Sequence, residues 1–417
     1  MDGPGFRGLR VQPGYIAFAF TATLVRVSME MFSVAIVLLL LARTGSAALA
    51  GATVAAVTFP SLVSGPLLGA WLDLTGKRRA IMLLDQTLLV GALVAILLVA
   101  GHGPNWVVPL IALAPGITHP LSFGGFTSLI PVLVPEDLLP PANAIEGASF
   151  NVALIAGPAL AGGLAAAFGA PAAVGAEAVM SAVGLLLIAT LPVLDTQPHH
   201  RHRSLLPIVR EGLRLLAGAP VLRAITVSSA LYMAATGLLT VAFPFFAAHD
   251  LGAGKSAAGA LWAVFAAGSA LGALAGPRLM SRISPERLVA GSIAGFGVIA
   301  LLWPLASSLP VALVLVSLAG IADGPGLTAT FSVRQEQVPP DLYGQVFSTA
   351  SSMKIGSFAV GSALAGPLVV SIGAHGTIIV CAVTSLAAAA LALVLLAAKP
   401  VGGPRRRRLL DRLAERF

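Results

Sequence analysis

The stretch Gly69-Ala-Trp-Leu-Asp-Leu-Thr-Gly-Lys-Arg-Arg79 concentrates charge in a short turn between two long apolar runs. The chain around it has 417 residues, of which 57% are hydrophobic and only 10% are charged. Its mean hydropathy of +0.94 is too high for a soluble protein. A short basic turn in such a chain is typical of a cytoplasmic loop that joins two membrane helices.

Apolar runs long enough to cross a bilayer, which takes about 20 residues, recur along the whole sequence. They predict an all-α integral membrane protein with twelve transmembrane helices. The 45 glycines and 29 prolines fit this class, because small residues let membrane helices pack closely and neighbouring helices tolerate breaks. The predicted spans are 15–42, 48–72, 80–101, 106–132, 139–167, 171–192, 220–248, 256–280, 288–308, 309–333, 342–372 and 374–398.

Most of the 25 lysines and arginines fall on one side of this topology, in the terminal segments and alternate loops. Only Arg43 and Lys255 fall on the other side, while Arg26 and Lys354 lie within spans. By the positive-inside rule the basic side faces the cytoplasm. We therefore expect a multi-pass protein of the cytoplasmic membrane with both termini in the cytoplasm. This placement also argues against nucleic acid as a partner, despite the net charge of +8.

Two parts of the chain match at an offset of 204 residues. The segment 134–138 aligns with 338–342, and 157–164 aligns with 361–368. The offset predicts two parallel six-helix repeats, 1–192 and 220–398, of the kind that hold a substrate site between them. Residues 193–219 form the predicted cytoplasmic linker with an amphipathic helix, and 399–417 a basic tail. The linker histidines at 199–202 are interpreted as a solvated loop rather than a metal site. The tail arginines are expected to meet anionic lipid or to set orientation.

The first stretch resembles the signature loop between spans 2 and 3 of the major facilitator superfamily. The matching positions are Gly69, Asp73, Gly76, Lys77 and Arg78. The resemblance implies that Asp73 contacts the start of span 11, near 341–344, and locks an outward-facing state. Glu146, expected near the inner surface, is interpreted as a partner of the basic residues that follow Asp73.

Further segments narrow the resemblance. The segments 130–138, 142–143 and 210–214 are similar to the branch that contains macrolide-efflux and enterobactin-exporter proteins. Gly157, Pro158 and Gly162 resemble the Gly-Pro motif of antiporters, where they predict a bend and a close approach of spans 5 and 8. Span 4 lacks the intramembrane arginine that many drug/proton antiporters carry.

Charged side chains inside the bilayer are the candidate functional groups, because each costs about 2.5–3.5 kcal/mol on insertion scales. Arg26 and Glu30 are four residues apart, so they share one face of span 1 near mid-membrane. We expect them to interact and to line the cavity, where Glu30 loads and releases a proton. The alternative is a purely structural ion pair.

The repeat offset places His119 of span 4 over Asp323 of span 10, which predicts a polar layer across the cavity. Lys354 of span 11 is the predicted partner of Asp323, in a pair that opens with substrate or, equally, in a permanent one. His119 is also consistent with an ordinary hydrogen-bonded helix residue. Asn151 and Tyr232 complete the predicted cavity set, with plain packing as the alternative for Tyr232.

Together these features predict a secondary transporter that exports small amphipathic organic compounds by alternating access. The proton gradient is the expected energy source, without a cofactor or metal, and the expected partners are the substrate, protons and membrane lipids around a monomer. Uptake, proton-independent siderophore or lipid movement, and a non-transporting sensor remain alternatives. The sequence contains no His-Glu-x-x-His motif and no Gly-x-x-x-x-Gly-Lys loop, which argues against a membrane enzyme and direct ATP coupling.

Overall fold

The computed structural model describes residues 4–191, 204–253 and 257–397, and the regular elements within these ranges are all helical. The predicted basic tail, the histidines at 199–202 and Lys255 lie outside the described residues. The α-helices are α1 (Pro4–Val11), α2 (Tyr15–Thr44), α3 (Ala47–Thr75), α4 (Arg78–Val99), α5 (Val107–Pro120), α6 (Ile130–Leu133), α7 (Leu139–Phe168), α8 (Ala170–Thr190), α9 (Leu205–Gly218), α10 (Pro220–Gly237), α11 (Leu239–Phe245), α12 (Ala257–Met280), α13 (Pro285–Ala300), α14 (Leu309–Gln337) and α15 (Tyr343–Ala397).

Within the described residues, ten helical segments are long and apolar enough to cross a membrane. An eleventh is α3, which bends by 43° between Ser61 and Val63. It contains two prolines, Pro60 and Pro66, and proline is a common cause of such bends because it removes a backbone hydrogen bond.

The longest helix, α15, has 55 residues but is interrupted at Gly373, whose φ of 73° only glycine adopts readily. A straight helix of this length would measure about 80 Å, more than twice the bilayer core of about 30 Å. The interruption falls at the residue that separates predicted spans 11 and 12.

Hydrogen bonds bring the end of α3, the start of α15 and the linker helix α9 together at one end of the bundle. This end carries α1, the turn at 76–77, the linker helix α9 and the turn at 281–284. We call it the basic end, since the exposed Lys77, Arg210, Arg278 and Arg282 lie there.

The buried apolar residues form separate clusters in the two halves of the chain. One large cluster draws only on residues between 225 and 389, and two others only on residues between 9 and 191. A further cluster joins the halves at the basic end and includes Ala70, Ile208, Phe331 and Phe347. The halves therefore share an apolar core at that end.

Candidate functional site

A buried polar cluster links α2 to α7. Arg26 is fully buried, and its guanidinium donates to both carboxylate oxygens of Glu146, at 2.9 and 2.5 Å. The Ser149 hydroxyl accepts a further hydrogen bond from Arg26 at 2.6 Å, and the Thr127 hydroxyl donates to Glu146. The guanidinium carbon lies 4.3 Å from the ring centre of Phe150. This bidentate pair lets each charge compensate the other, although both are buried away from water.

The cluster corrects two predictions. Arg26 does not pair with Glu30, and Glu146 pairs with Arg26 rather than with the basic residues after Asp73. Glu146 lies seven residues into α7, about 10 Å along its axis, which brings it to the depth of Arg26 on the neighbouring helix. The planar guanidinium of Arg26 forms two parallel hydrogen bonds with Glu146 across this interface. Glu30, on the same helix as Arg26, does not form such a pair with it.

Glu30 instead faces Gly157 of α7. A side-chain carbon added at Gly157 would lie 2.5 Å from the Glu30 Cβ, so glycine is required for α2 and α7 to pack here. Spans 5 and 8 do pack closely, as predicted, but where Gly147 of α7 faces Ala273 of α12. The prediction that Gly157 makes this contact is wrong. Pro158 lies inside α7, and Gly162 borders open space. Among the described residues, none pairs with the Glu30 carboxylate.

A row of rings crosses from one half of the chain to the other. His119 lies 5.5 Å from Phe123, Phe123 lies 5.4 Å from Phe150, and Phe150 lies 5.7 Å from Phe331, measured between ring centres. The Lys354 ammonium lies 5.9 Å from the Phe331 ring centre. We call these five residues the aromatic row. Since Arg26 also lies over Phe150, the row has one cation near its middle and another at its end.

Asp323 has different neighbours. The Ser269 hydroxyl donates to its carboxylate at 3.0 Å, and the Tyr232 hydroxyl lies close by. Lys354 is within electrostatic range of Asp323 but forms no ion pair with it, so the permanent-pair alternative fails in this conformation. Tyr232 is buried with its ring edge-on to Phe296, and the Asn151 amide donates to the Gly147 carbonyl of its own helix.

At the basic end, Asp73 joins the two halves. Its carboxylate accepts hydrogen bonds from the backbone N–H groups of Gly344 and Gln345, at 2.8 and 2.7 Å. These groups lie in the first turn of α15, where backbone donors lack partners in the helix and attract negative charge. Arg78 donates to Asp73 at 3.3 Å and to the Ser128 hydroxyl at 2.6 Å.

Close backbone packing surrounds this contact. A side-chain carbon at Gly69 would lie 2.6 Å from the Gln345 Cα and would overlap the Gly344 backbone. Gly76 ends α3 with a φ of 64°, and the exposed Lys77 follows it in the turn. We call the contact of α3 with the start of α15 the basic-end gate.

A second link at this end joins α7 to α14. The Asn143 amide donates to the Gln335 side-chain oxygen at 2.7 Å, and Gln335 donates back at 2.9 Å. Asn143 also donates to the Ser332 hydroxyl at 3.0 Å. All three side chains are buried, so this reciprocal amide pair stabilises the contact between α7 and α14.

Sequence reasoning overlooked Asp85, which is buried in α4. Its carboxylate accepts hydrogen bonds from Ser122 at 2.7 Å and from Gln86 at 2.9 Å. Ser122 belongs to a π-helical turn, Leu121–Gly125, that continues α5, and such turns are frequent at functional sites. An acidic residue in the apolar run 80–101 was the available signal.

Glu177 of α8 is fully buried, and neither carboxylate oxygen has a hydrogen-bond partner within the described part of the chain. An isolated buried carboxylate is far more costly than a neutral acid. We therefore expect Glu177→Gln to leave the melting temperature of the purified protein unchanged or slightly raised. Glu177→Ala, which creates a cavity, should lower it. A marked loss of stability in Glu177→Gln would show instead that the ionised group is bound.

Comparison with known proteins identifies the family. A family model described as a transmembrane secretion effector of the MFS type matches residues 16–402. The chain belongs to the major facilitator superfamily. The transporter is 32% identical over 394 residues to an uncharacterised MFS-type transporter, y4rN, of Sinorhizobium fredii, covering 92% of this chain and 95% of the relative.

Two other relatives are exporters. The transporter is 29% identical to the multidrug efflux pump Tap of Mycobacterium tuberculosis, over 81% of this chain and 83% of Tap. It is 24% identical to the enterobactin exporter EntS of Escherichia coli, over 86% of each chain. A bacterial homologue of the iron transporter ferroportin, solved in an outward-facing state, has the same fold, with a TM-score of 0.74 at 16% identity over 92% of this chain and 99% of that one. The predicted superfamily and branch are confirmed, and the protein is a transporter rather than an enzyme.

Proposed function

We propose that the transporter exports small amphipathic organic compounds across the cytoplasmic membrane in exchange for protons. The efflux activity named for Tap and EntS supports the direction. One observation carries the proposal: ionisable and aromatic groups of both halves lie together behind a closed gate. These groups are the Arg26–Glu146 pair and the aromatic row that ends at Lys354.

The proposed layout has twelve spans in two six-helix repeats, 1–192 and 220–398. The ten spanning segments together with α3 make eleven, and division of α15 at Gly373 adds the twelfth. An even number of spans puts both termini on the same side. The exposed basic residues at that end favour the cytoplasm by the positive-inside rule.

In this orientation the closed basic-end gate faces the cytoplasm, so the conformation is outward-facing. Asp73 and Asn143 then hold the cytoplasmic side shut, through the N–H groups of α15 and through Gln335. Opening of the gate would expose the aromatic row to the cytoplasm, and a substrate from the cytoplasm would then bind to the row.

The Arg26–Glu146 pair is the proposed site of proton coupling. Addition of a proton to Glu146 removes the charge that compensates Arg26, so the two-pronged pair weakens. An uncompensated guanidinium in this setting is costly, and it would turn towards water or substrate. Proton binding and a rearrangement of α2 against α7 are coupled in this way. Glu30 and Asp323, both partly exposed, are proposed as further titrating groups of the cavity.

The aromatic row indicates the substrate class. Aromatic faces bind flat apolar groups, and they also attract cations. Lys354 at the end of the row, without an ion-pair partner among the described residues, favours a substrate that combines an aromatic body with an acidic group. Purely aliphatic compounds are expected to be poorer substrates.

The test is transport into inverted membrane vesicles with an imposed pH gradient in which the vesicle lumen is acidic. The wild type should accumulate a fluorescent aromatic dye that carries an acidic group, and a protonophore should abolish the accumulation. Glu146→Gln should lose gradient-driven accumulation by at least an order of magnitude. The matched control is Asp137→Asn, which removes an exposed acidic group at the basic end of the bundle.

Each alternative gives a different result. Dye accumulation that is the same with and without the pH gradient would refute proton coupling. Accumulation only in right-side-out vesicles would indicate uptake, and binding of the dye without movement in either orientation would indicate a sensor.

A further inference from the structure

A crevice of about 500 Å³ lies on the side of the bundle where the two halves meet, and no residue of the aromatic row lines it. Four helices contribute to it: α3, α10 and α15 form its walls, and α9 closes it at the basic end. Its lining residues are Pro66, Leu213, Ala230, Leu231, Ala234, Thr349, Ser352, Met353, Gly356, Ser357 and Val360.

The lining is apolar and carries no charged side chain. Two of its hydroxyl groups are already engaged, since Thr349 donates to the Gln345 carbonyl and Ser352 donates to the Ser61 carbonyl. Leu231, Met353 and Val360 are 37%, 39% and 58% exposed, so the crevice opens outwards to the side of the bundle. Such a surface suits a hydrocarbon chain better than a polar solute.

The length of the crevice along α15 is close to the thickness of one leaflet of the membrane. Along α15 it extends from Thr349 to Val360, which lie about 9 and 25 Å from the start of the helix. This range covers about 16 Å, close to half of the bilayer core of about 30 Å. It begins near the basic end, where a phospholipid of that leaflet would place its headgroup.

Arginines lie at the basic end of the crevice, on two of the helices that form it. Arg223 precedes Ala230 by seven residues, so it lies on the same face of α10, about 10 Å nearer the basic end. Its Nε is buried and has no hydrogen-bond partner in the described ranges. On α9, the exposed Arg210 and Arg214 flank Leu213, which lines the crevice, and Glu211 offsets one of their charges. The basic end of the crevice is therefore positively charged, as in sites for acidic lipid headgroups.

We propose that this crevice binds one acyl chain of an acidic phospholipid, whose phosphate is held by Arg223 with Arg210 and Arg214. Because α3 belongs to one half and α10 and α15 to the other, the bound lipid bridges the two halves beside the basic-end gate. Lipid binding here is independent of the transport direction and of the driving ion.

The direct test is photocrosslinking of the wild-type protein in nanodiscs with phosphatidylglycerol that carries a photoreactive acyl chain. Mass spectrometry should locate the crosslinks in 230–234 and 349–360. Excess unlabelled phosphatidylglycerol should remove them, and the same excess of phosphatidylcholine should not. Crosslinks spread evenly over the lipid-facing helices, or equal competition by both lipids, would overturn the proposal.

Variants test the two parts of the site separately. Gly356→Phe fills the crevice and should reduce these crosslinks at least fivefold, whereas Gly366→Phe, on an open part of the same helix, should not. Arg223→Gln should abolish the preference for phosphatidylglycerol over phosphatidylcholine. Arg278→Gln, which removes an exposed charge at the same end, should preserve it. Displacement of the lipid probe by the transported dye would assign the crevice to substrate instead.

Discussion

Replacement of Glu146 by glutamine is expected to destabilise the transporter by about 3–5 kcal/mol, because it leaves Arg26 buried without its counter-charge. Arg26 is completely buried, and two of its hydrogen bonds go to the Glu146 carboxylate. Loss of this carboxylate should appear as a lower melting temperature of the purified protein in detergent. Arg26→Gln should have a similar effect, since it leaves the carboxylate unpaired.

The double replacement Arg26→Leu with Glu146→Leu separates stability from function. Removal of both charges leaves no uncompensated group, and apolar replacement of a buried pair is often neutral or stabilising. The double variant should therefore melt near the wild-type temperature, yet lack gradient-driven export. Asp137→Asn, which removes an exposed carboxylate, should change neither property.

Two outcomes would contradict this interpretation. Wild-type stability in both single variants would show that the pair contributes nothing to the fold. Full gradient-driven export by a stable double variant would remove Arg26 and Glu146 from the proton pathway, and would leave Glu30 and Asp323 as the remaining candidates.

The sequence predicted the helical membrane fold well, because the bilayer imposes strong and local requirements on length and polarity. The turn at 69–79 also identified the superfamily and the contact of Asp73 with the start of α15. These features depend on a motif or a continuous run, both of which can be read along one chain.

The partners of the buried charges could not be predicted, because they depend on the register between helices far apart in the chain. Arg26 and Glu146 are separated by 120 residues, so nothing local favours their pairing over that of Arg26 with Glu30. The Gly-Pro motif marks Gly157 as a packing residue, but a motif does not show that its neighbour is α2 rather than span 8. Asp85 was overlooked because a single acidic residue does not interrupt an apolar run.

Replacement of Asp73 by alanine is expected to open the basic-end gate. The variant loses two hydrogen bonds from backbone N–H groups to a carboxylate, each worth about 1.5–3 kcal/mol. Their sum is comparable to the roughly 5.5 kcal/mol that moves a two-state equilibrium from 1:99 to 99:1. The closed conformation should therefore lose its dominance in this variant.

Gly69→Ala should open the gate by a different route. The added methyl group would overlap the backbone of Gly344 and Gln345. These residues pack so closely against α3 only because Gly69 has no side chain. Since backbone atoms cannot move aside as a flexible side chain does, the two helices must separate. Steric and electrostatic disruption of one contact should thus give the same conformational change.

Distances between spin labels measure this opening. Labels at Lys77→Cys and Glu336→Cys report across the gate, after the buried native Cys381 is replaced by alanine. Asp73→Ala and Gly69→Ala should both shift this distance to longer values. Labels at Lys77→Cys and Asp137→Cys, which lie in one half, should keep their wild-type distance. An unchanged distance across the gate in both variants would mean that the Asn143–Gln335 link and the shared apolar cluster suffice to hold the halves together.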